Sequence, residues 1–407
     1  MVNVVGLGYI GLPTVLMLAA HGVEAVGTDY KQERVDTLNA GQLSFKEDGL
    51  EELYQKARKN GISFTTEYVN ADIYIISVPT PYEEITKKVD ASYVVNAVKA
   101  VLPVCDKGAV LVIESTVSPG TIDNYIRPVI QEYGLVIGED VHLAHAPERI
   151  IPGNMIYELL HNDRTIGADD PVIGEKIKSL YSSFCRGTIT VTSIRAAEMS
   201  KVVENTFRDI NIAYANELAR ICHEQNLDVY EIIRIANQHP RVNILSPGPG
   251  VGGHCIPIDP WFLVGDFPSL THVIKAAREV NDSMPEYVLG RVSEIMNKCG
   301  IEDVSKVGFY GLTYKADVDD VRDSPTLQML SSLKRHLCGN RVKVYDPMVN
   351  RDIVPNQYYD LDEFLDAVDL VVILVDHQEI KENMDKLKHK IVFDTRHICS
   401  LDGVYYL

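Results

Sequence analysis

Short apolar runs alternate with stretches of helical period along the first 190 residues of the chain. Such runs predict parallel strands buried on both faces, and the stretches between them predict the helices that cover those faces. The alternation predicts an α/β fold in which residues 1–190 form an N-terminal Rossmann-like, doubly wound domain. The predicted strands are residues 2–5, 24–27, 73–78 and 110–114, and the predicted helices are residues 12–20, 34–39, 50–60 and 91–101.

The pattern changes after residue 190. Residues 195–226 contain neither Gly nor Pro and keep a helical period, which predicts one long helix. Its apolar positions wrap widely around the helix, so we expect it to pack on two sides. The α/β alternation restarts near residue 304, which predicts a smaller Rossmann-like domain over 301–407 and a central helical region over 191–300. Further helices are predicted at 229–238 and 271–298, and further strands at 306–310, 341–345, 369–375 and 390–393.

A glycine fingerprint follows the first predicted strand. Gly6 permits a tight turn, Gly8 lets a diphosphate approach, and Gly11 lets the next helix pack closely on the strand. Asp29 ends the second predicted strand, about 20 positions further on, where a carboxylate accepts hydrogen bonds from ribose hydroxyls and repels a 2′-phosphate. The sequence therefore predicts a dinucleotide site that takes NAD rather than NADP.

Two threonines follow the next predicted strands. Thr80 and Thr116 stand where ligands of open sheets lie, beyond the carboxyl ends of the strands. Both are candidates for contact with the nicotinamide half of the cofactor, and each could equally be an ordinary helix N-cap.

One cysteine lies in an unusual loop. Residues 246–257 contain four glycines and three prolines, which excludes helix and central strand. Such a loop lets a ligand approach the backbone and holds the Cys255 thiol in place, and its backbone N–H groups would favour the thiolate. A positioned thiol together with NAD indicates an oxidation that passes through a thioester.

Polar residues recur on one face of the predicted long helix. Glu198, Lys201, Asn205 and Arg208 are three, four and three residues apart, a spacing that places them together. Apolar residues flank this set on both sides, which favours a face toward a cleft over a face toward solvent. Lys201 can stabilise charge on a reacting oxygen, and Asn205 can hold a water or a hydroxyl.

Two carboxylates and several cations complete the candidates. Glu148 and Asp259 are each able to activate a water or to serve in a structural ion pair, and the sequence does not choose between these roles. A carboxylate product and a diphosphate need several cationic or polar partners. Arg149, His239, Arg241, Lys315 and Arg322 are candidates for this role.

Composition narrows the range of partners. The net charge of −18, from 39 basic and 57 acidic residues, argues against a nucleic-acid surface. The seven cysteines, among them Cys338, have the spacing of no zinc site, so we expect no metal, and scattered thiols fit a reducing cytoplasm. No apolar run approaches the roughly 18 residues of a membrane helix. Met1 leads straight into a predicted strand, so we expect neither a signal peptide nor a membrane partner.

Together these motifs resemble the UDP-glucose/GDP-mannose dehydrogenase family over nearly the whole chain. The likeness rests on GLGYIGLP, SVPTP, ESTVSPG, APER, GGHC and GLTYKADVDDVRDSP. Two longer stretches, ENTFRDINIAYANELA and HPRVNILSPGPGVGGHCIPIDPWFLV, are similar to the branch that acts on UDP-N-acetyl-D-mannosamine.

The resemblance implies NAD-dependent oxidation of carbon 6 of that sugar to UDP-N-acetyl-D-mannosaminuronate, with two NAD reduced. Cys255 would be the nucleophile, Lys201 the proton carrier and oxyanion stabiliser, and Glu148, Asn205 and Asp259 would assist the water. The residues implied to hold NAD are Gly6, Gly8, Tyr9, Ile10, Gly11, Asp29, Thr80, Thr116 and Arg322. The residues implied to line the sugar nucleotide are Arg149, Ile150, Lys201, Asn205, Arg208, His239, Arg241, Gly252, Tyr314, Lys315 and Arg322.

The resemblance also implies a homodimer or higher homo-oligomer joined through the long helix, a UDP-sugar-binding role for residues 301–407, and a product used in polysaccharide biosynthesis. Three alternatives stay open. They are a UDP-N-acetylglucosamine 6-dehydrogenase, a two-electron alcohol dehydrogenase that forms one NADH per sugar, and a catalytically silent NAD-responsive binding protein.

Overall fold

The computed structural model of the chain describes residues 1–335 and 341–407, so Cys338 lies outside the described residues. Contacts between residues divide the chain into two compact units. The first unit is residues 1–204 and 261–267, and the second unit is residues 205–260 and 268–407. The three-part division at residues 190 and 300 stays a prediction.

The described part of the first unit contains an eight-stranded sheet in the order β3-β2-β1-β4-β5-β6-β7-β8. Neighbouring strands are parallel except β6 and β7. The central strands are buried along their whole length, as expected of a sheet with helices on both faces. The strands are β1 (Val2–Val5), β2 (Ala25–Thr28), β3 (Ser63–Thr65), β4 (Ile73–Ile76), β5 (Ala109–Ile113), β6 (Val141–His145), β7 (Arg164–Ala168) and β8 (Ile189–Thr192).

Two apolar clusters cover the two faces of this sheet. Helix α1 is buried at every position and carries no charge, so it packs as the innermost helix of its layer. The predicted doubly wound domain is confirmed. Its helices are α1 (Gly11–Ala20), α2 (Gln32–Asn39), α3 (Leu50–Lys59), α4 (Ser92–Val101), α5 (Arg127–Glu132), α6 (Met155–His161) and α7 (Pro171–Tyr181).

The predicted long helix is present as α8 (Ile194–Glu224), whose 31 residues extend for roughly 46 Å. Three further helices follow in the central region, and none of the described helices is long and apolar enough to span a bilayer. They are α9 (Val229–Ala236), α10 (Asp259–Asp266) and α11 (His272–Cys299).

Helix α11 continues through a proline. Pro285 lies inside the helix and has no N–H, so the carbonyl of Asn281 has no donor one turn later. The helix ends at Gly300, whose φ of +72° suits a glycine.

The second unit contains a six-stranded parallel sheet in the order β11-β10-β9-β12-β13-β14, counted over the described residues. This order repeats that of the first six strands of the first sheet, so the predicted second Rossmann-like domain is confirmed. Its strands are β9 (Val307–Tyr310), β10 (Lys343–Tyr345), β11 (Gln357–Tyr358), β12 (Leu370–Ile373), β13 (Ile391–Asp394) and β14 (Tyr405–Tyr406), and its helices are α12 (Pro325–Arg335), α13 (Leu361–Ala367) and α14 (Gln378–Glu382).

Both sheets fix the loop after their first strand in the same way. Asp29, after β2, accepts a hydrogen bond from the N–H of Leu7 at 2.9 Å. Asp346, after β10, accepts from the N–H groups of Leu312 at 2.6 Å and Thr313 at 2.9 Å. A buried carboxylate thus holds each first loop at the carboxyl edge of its sheet, where ligands of such folds bind.

Candidate active site

The three glycines of the fingerprint meet different surroundings. A Cβ on Gly6 would lie 2.3 Å from the carbonyl oxygen of Ser77, and one on Gly11 would lie 1.9 Å from the carbonyl oxygen of Gly6. A Cβ on Gly8 would meet no atom within 4 Å. Gly6 and Gly11 therefore serve packing, whereas the space beside Gly8 is open at the N-terminus of α1, the place where folds of this kind bind a diphosphate.

Asp29 is buried and already oriented. Its Oδ2 accepts from the N–H of Leu7 and from Arg34, whose guanidinium lies 2.7 Å away, and its Oδ1 accepts from the N–H of Lys31 at 3.0 Å. These bonds fix the carboxylate at the end of β2, the place from which it would accept from the ribose hydroxyls of NAD.

Two pairs of predicted cofactor residues lie along the same edge of the sheet. The ring of Tyr9 stacks on that of Phe45, with centroids 4.4 Å apart, and the neighbouring Ile10 is half-buried. The hydroxyl of Thr80 donates to the carbonyl of Thr116 at 2.6 Å, so the structure brings these two threonines together. Neither threonine caps a helix.

A buried carboxyl lies beneath this edge. Glu114 accepts from the hydroxyls of Ser77, of Tyr181 at 2.9 Å and of Thr14 at 3.3 Å. Burial, with the nearby Glu148 carboxylate, raises the pKa of Glu114 from 4.5 to about 7. Glu114 has no signal in the sequence, because a polar residue at the end of a strand gives no indication of how deeply its side chain is buried.

Glu148 is engaged in a buried ion pair. Its carboxylate pairs with Arg164 on β7, both side chains being 4% exposed, and it also accepts from the N–H of Arg149 at 2.7 Å. The Arg164 guanidinium lies over the ring of Tyr181, 4.5 Å from its centroid. Of the two roles left open for Glu148, the structure shows the ion pair.

Arg149 follows Glu148 directly and is also engaged. Its guanidinium donates to the carbonyl of Asp163 at 2.7 Å, to Thr165 at 3.1 Å and to Glu204 at 2.5 Å. Ile150 is buried beside it. A role for Arg149 and Ile150 in binding the sugar nucleotide stays a prediction.

The four polar residues predicted on one face of α8 have different surroundings. Glu198 is buried and accepts from the N–H groups of Gly120 at 2.6 Å and Ile122 at 3.0 Å, where it caps the π-helical turn Ile122–Ile126. Lys201 and Asn205 are buried one turn apart, and Arg208 is exposed. The polar face therefore serves packing at Glu198 and supplies two buried polar groups at Lys201 and Asn205.

The second unit brings the thiol loop to Asn205. The carbonyl of Cys255 accepts from the N–H groups of Ile258 and Asp259, so the exposed thiol stands at the start of α10. The amide of Asn205 donates to the Asp259 carboxylate at 2.6 Å, and both side chains are buried. A nucleophile, an amide and a carboxylate thus meet in one unit, while Glu148 and Lys201 belong to the other.

The C-terminal sheet supports the same loop. A Cβ on Gly252 would lie 2.7 Å from Tyr314, and the N–H of Gly253 donates to the carbonyl of Arg322 at 3.1 Å. The guanidinium of Arg322 donates to Asp320 at 2.8 Å. Lys315 follows Tyr314 in the loop after β9 and is half-buried.

His239 and Arg241 lie on the surface, in the turn after α9. The N–H of Arg241 lies 3.3 Å from the His239 ring nitrogen Nδ1. Their role in binding the sugar nucleotide stays a prediction.

Comparison with known proteins identifies the class. Residues 1–185 match the NAD binding domain of the UDP-glucose/GDP-mannose dehydrogenase family, residues 195–283 its central domain and residues 308–401 its UDP binding domain. The chain belongs to the UDP-glucose/GDP-mannose dehydrogenase family. The resemblance seen in the sequence and the assignment of NAD as cofactor are both confirmed.

Individual relatives are similar over nearly the full length. The UDP-N-acetyl-D-mannosamine dehydrogenase of Methanococcus maripaludis is 44% identical over 407 residues, which cover 97% of this chain and 92% of the relative. The structure of the UDP-N-acetyl-mannosamine dehydrogenase of Staphylococcus aureus superposes with a TM-score of 0.88 at 42% identity and covers 100% of this chain and 97% of that one. The NDP-N-acetyl-D-galactosaminuronic acid dehydrogenase of Ralstonia nicotianae is 42% identical over 410 residues, 97% of this chain and 95% of the relative.

The glycine geometry separates two substitutions. Gly11→Ala should lower the free energy of unfolding by about 3 kcal/mol or more, because its methyl group meets a backbone oxygen. Gly8→Ala should leave stability unchanged and weaken NAD binding roughly tenfold or more, because the methyl group enters the approach of the diphosphate. Urea denaturation and calorimetric NAD titration of both variants check this. Equal losses of stability in the two variants would contradict it.

The Glu114 carboxyl predicts a pH dependence of stability. Its pKa is higher in the folded state than in the unfolded chain, so its contribution is present below pH 4.5 and is lost as the pH rises through about 7. Glu114→Gln removes the titration and should abolish a decline on the order of 3 kcal/mol over that range. Urea denaturation from pH 4.5 to 7.5 measures it, with the exposed Glu139→Gln as control. Parallel profiles for wild type and Glu114→Gln would show that the carboxyl does not titrate there.

Proposed function

We propose that the protein oxidises carbon 6 of UDP-N-acetyl-D-mannosamine to the carboxylate, with two NAD reduced. The observation that carries this proposal is the exposed Cys255 thiol at the start of α10, in the unit that also holds the Asn205–Asp259 pair. A simple alcohol dehydrogenase needs no such thiol. Oxidation beyond the aldehyde needs a nucleophile that adds to the aldehyde, because the resulting carbon bears a hydroxyl group and can lose a second hydride.

The first oxidation removes a proton and a hydride from the primary alcohol. Lys201 accepts the hydroxyl proton and, once protonated, stabilises negative charge on the oxygen. NAD, when bound on the first unit, supplies the hydride acceptor for both oxidations. Gly8 and Asp29 would hold its diphosphate and ribose there, and Thr80 and Thr116 would serve its nicotinamide half.

The second oxidation uses the thiol. The Cys255 Sγ bonds to the aldehyde carbon to form a thiohemiacetal. The thiol proton ends on the former aldehyde oxygen, which becomes the hydroxyl of the thiohemiacetal. Loss of that proton and of the hydride on carbon leaves a thioester, and attack by water then breaks the C–S bond and restores the thiol. In sum, alcohol, two NAD and one water give carboxylate, two NADH and three protons.

Asp259 is the better placed carboxylate for the hydrolytic water. Glu148 is held in the buried ion pair with Arg164, so its oxygens are already engaged. Asp259 accepts from the Asn205 amide in the unit that holds Cys255, and it follows Cys255 by four residues. We therefore assign water activation to Asp259 and the orientation of its carboxylate to Asn205.

Two observations support the proposed substrate, the cationic side chains of the candidate site and the names of the similar proteins. The family domain at 308–401 binds UDP, and Arg241, Lys315 and Arg322 supply cations for a diphosphate in a chain of net charge −18. The two mannosamine dehydrogenases above favour UDP-N-acetyl-D-mannosamine. The name of the Ralstonia relative contains the galacto epimer, so UDP-N-acetylgalactosamine is the second candidate.

One assay distinguishes the substrates. The purified protein is given NAD and, separately, UDP-N-acetylmannosamine, UDP-N-acetylglucosamine, UDP-N-acetylgalactosamine and UDP-glucose. We expect the highest kcat/KM with the mannosamine sugar and two NADH per sugar, read at 340 nm and by mass spectrometry of the product. One NADH per sugar would replace the proposal with a two-electron dehydrogenase, and a higher kcat/KM for another epimer would replace the substrate.

The thiol is tested in the same assay. Cys255→Ser should abolish or trap turnover, because a serine hydroxyl is scarcely ionised at neutral pH and an alkoxide is a poorer leaving group than a thiolate, while NAD affinity stays the same. Cys299→Ser, away from the loop, is the matched control and should keep full activity. An unchanged rate in Cys255→Ser would remove the thioester route.

We also propose a homodimer formed through α8. Phe207, Tyr214 and Ile221 recur every seven residues and are 65%, 51% and 54% exposed. A row of exposed apolar side chains at heptad spacing is typical of a helix that pairs with another helix. In the chain alone this row is uncovered, so a second copy is its simplest partner.

Charge on this row should prevent pairing. Phe207→Glu should convert a dimer to monomers in sedimentation velocity, because the dimer would bury an unpaired carboxylate. Val172→Glu, an equally exposed apolar residue on α7, serves as control and should stay dimeric. A wild-type protein that sediments as a monomer at all concentrations would refute the proposal.

The compartment and pathway are proposals of the same kind. Cys105, Cys185, Cys222, Cys255, Cys299 and Cys399 are all thiols, which fits a reducing cytoplasm and protects the nucleophile. A UDP-linked uronate is an activated glycosyl donor, so we place the reaction before a glycosyl transfer in polysaccharide biosynthesis.

A further inference from the structure

Asparagine side chains hold the segment that leads into the thiol loop. Residues 242–248 lie in neither helix nor strand. Three of their backbone N–H groups nonetheless donate to asparagine carbonyls. Ile244 donates to Asn237 at 2.7 Å, Leu245 to Asn211 at 2.9 Å and Gly248 to Asn216 at 2.9 Å.

The same amides also bond to the segment's carbonyls. Asn237 donates to the carbonyl of Ile244 at 2.9 Å, and Asn211 donates to that of Asn243 at 2.8 Å. A primary amide carries a donor and an acceptor side by side, so it can replace the neighbouring strand that the segment lacks. Backbone groups that would otherwise need a sheet are satisfied by side chains on α8 and at the C-terminal end of α9.

The side chain of Asn216 is itself held by a buried network of hydrogen bonds. Its side-chain amide donates to the side-chain carbonyl of Asn281 at 2.8 Å, and the amide of Asn281 donates to the Asp209 carboxylate at 2.8 Å. The Arg278 guanidinium lies 2.5 Å from the same carboxylate. These side chains are at most 1% exposed. A fully buried network of this kind has few alternative arrangements, so Asn216 presents its carbonyl at one place.

Beyond Gly248 the loop rests on prolines. Gly250 has a φ of +140°, and a Cβ there would lie 3.2 Å from Pro285 and 3.3 Å from Pro325. The N–H of Gly253 is bonded to Arg322, as described above. The backbone is therefore held at Gly248, Gly250 and Gly253, and Cys255 follows two residues after the last of these points.

We propose that Asn211, Asn216 and Asn237 are positioning residues that set the place of the Cys255 thiol relative to the Asn205–Asp259 pair. Helix α8 carries Asn205, Asn211 and Asn216, so one rigid element holds both the loop and the group that orients Asp259. Asn237 closes the turn that carries His239 and Arg241, which ties that turn to the same segment. The inference rests on the proposed role of Cys255 as nucleophile.

The test uses Asn211→Ala in the full chain, because Asn211 is only half-buried and its loss spares the buried network. We expect kcat to fall roughly 10- to 100-fold with KM little changed, since a small misplacement of a reacting group costs about that much. NADH per sugar should fall from two toward one as aldehyde escapes. The rate of alkylation of Cys255 by iodoacetamide, followed by peptide mass spectrometry from pH 6 to 9, should change as well.

Two variants serve as comparisons. Asn383→Ala removes an amide that also donates to a backbone carbonyl, that of Glu379, but lies far along the chain from the loop, and it should behave as wild type. Asn211→Asp keeps the acceptor for Leu245 and loses the donor to Asn243, so it should recover part of kcat and of the two-NADH yield.

The inference is overturned if Asn211→Ala matches Asn383→Ala in kcat, NADH yield and alkylation profile. It is also overturned if Asn211→Ala fails to fold, because the residue would then serve stability and not position. Active Cys255→Ser would instead overturn the nucleophile itself. Failure of the proposed function and failure of this inference therefore give different results.

Discussion

For the proposed function, the backbone of residues 243–253 has to leave room for a sugar nucleotide and yet be held in one place. Glycine meets the first need, but it leaves the chain with the largest loss of conformational freedom on folding. The second need is met from outside the loop, by asparagine amides on α8 and at the end of α9 and by Pro285 and Pro325 beside Gly250. Because Cys255 follows this segment by two residues, the chemistry proposed for Cys255 would depend on these distant hydrogen bonds.

The two sheets show one structural solution used for two ligands. In both, a carboxylate after the second strand holds the loop after the first. The loops differ at their third residue, since Gly8 leaves open space whereas Thr313 lies within hydrogen-bond distance of Asp346. The first loop can therefore receive a dinucleotide diphosphate at the N-terminus of its helix, and the second presents Tyr314 and Lys315 from a closed loop.

The buried polar groups divide into those that hold the shape of the protein and those to which we assign chemistry. Glu198 caps a helical turn, and Glu148 neutralises Arg164, so both are satisfied within the protein. Asn205 and Asp259 bond to each other beside the thiol loop. Helical spacing grouped Glu198 with Lys201 and Asn205, because period alone reports which residues share a face and not what lies opposite each of them.

Local pattern missed several elements, among them β6, β7 and β8, but it determined the fold class, the central strands of both sheets, the long helix α8, the glycine fingerprint, Asp29 and the singular loop around Cys255. Each is a property of consecutive residues, in which period, turn residues and β-branching act over a few positions. Tertiary structure decided the partners: Arg164 for Glu148, the capped turn for Glu198, and the asparagines that hold the thiol loop. Asn211 meets Leu245 across 34 residues and Asn216 meets Asn281 across 65, and no short-range pattern specifies such pairs because packing of separate elements brings them together.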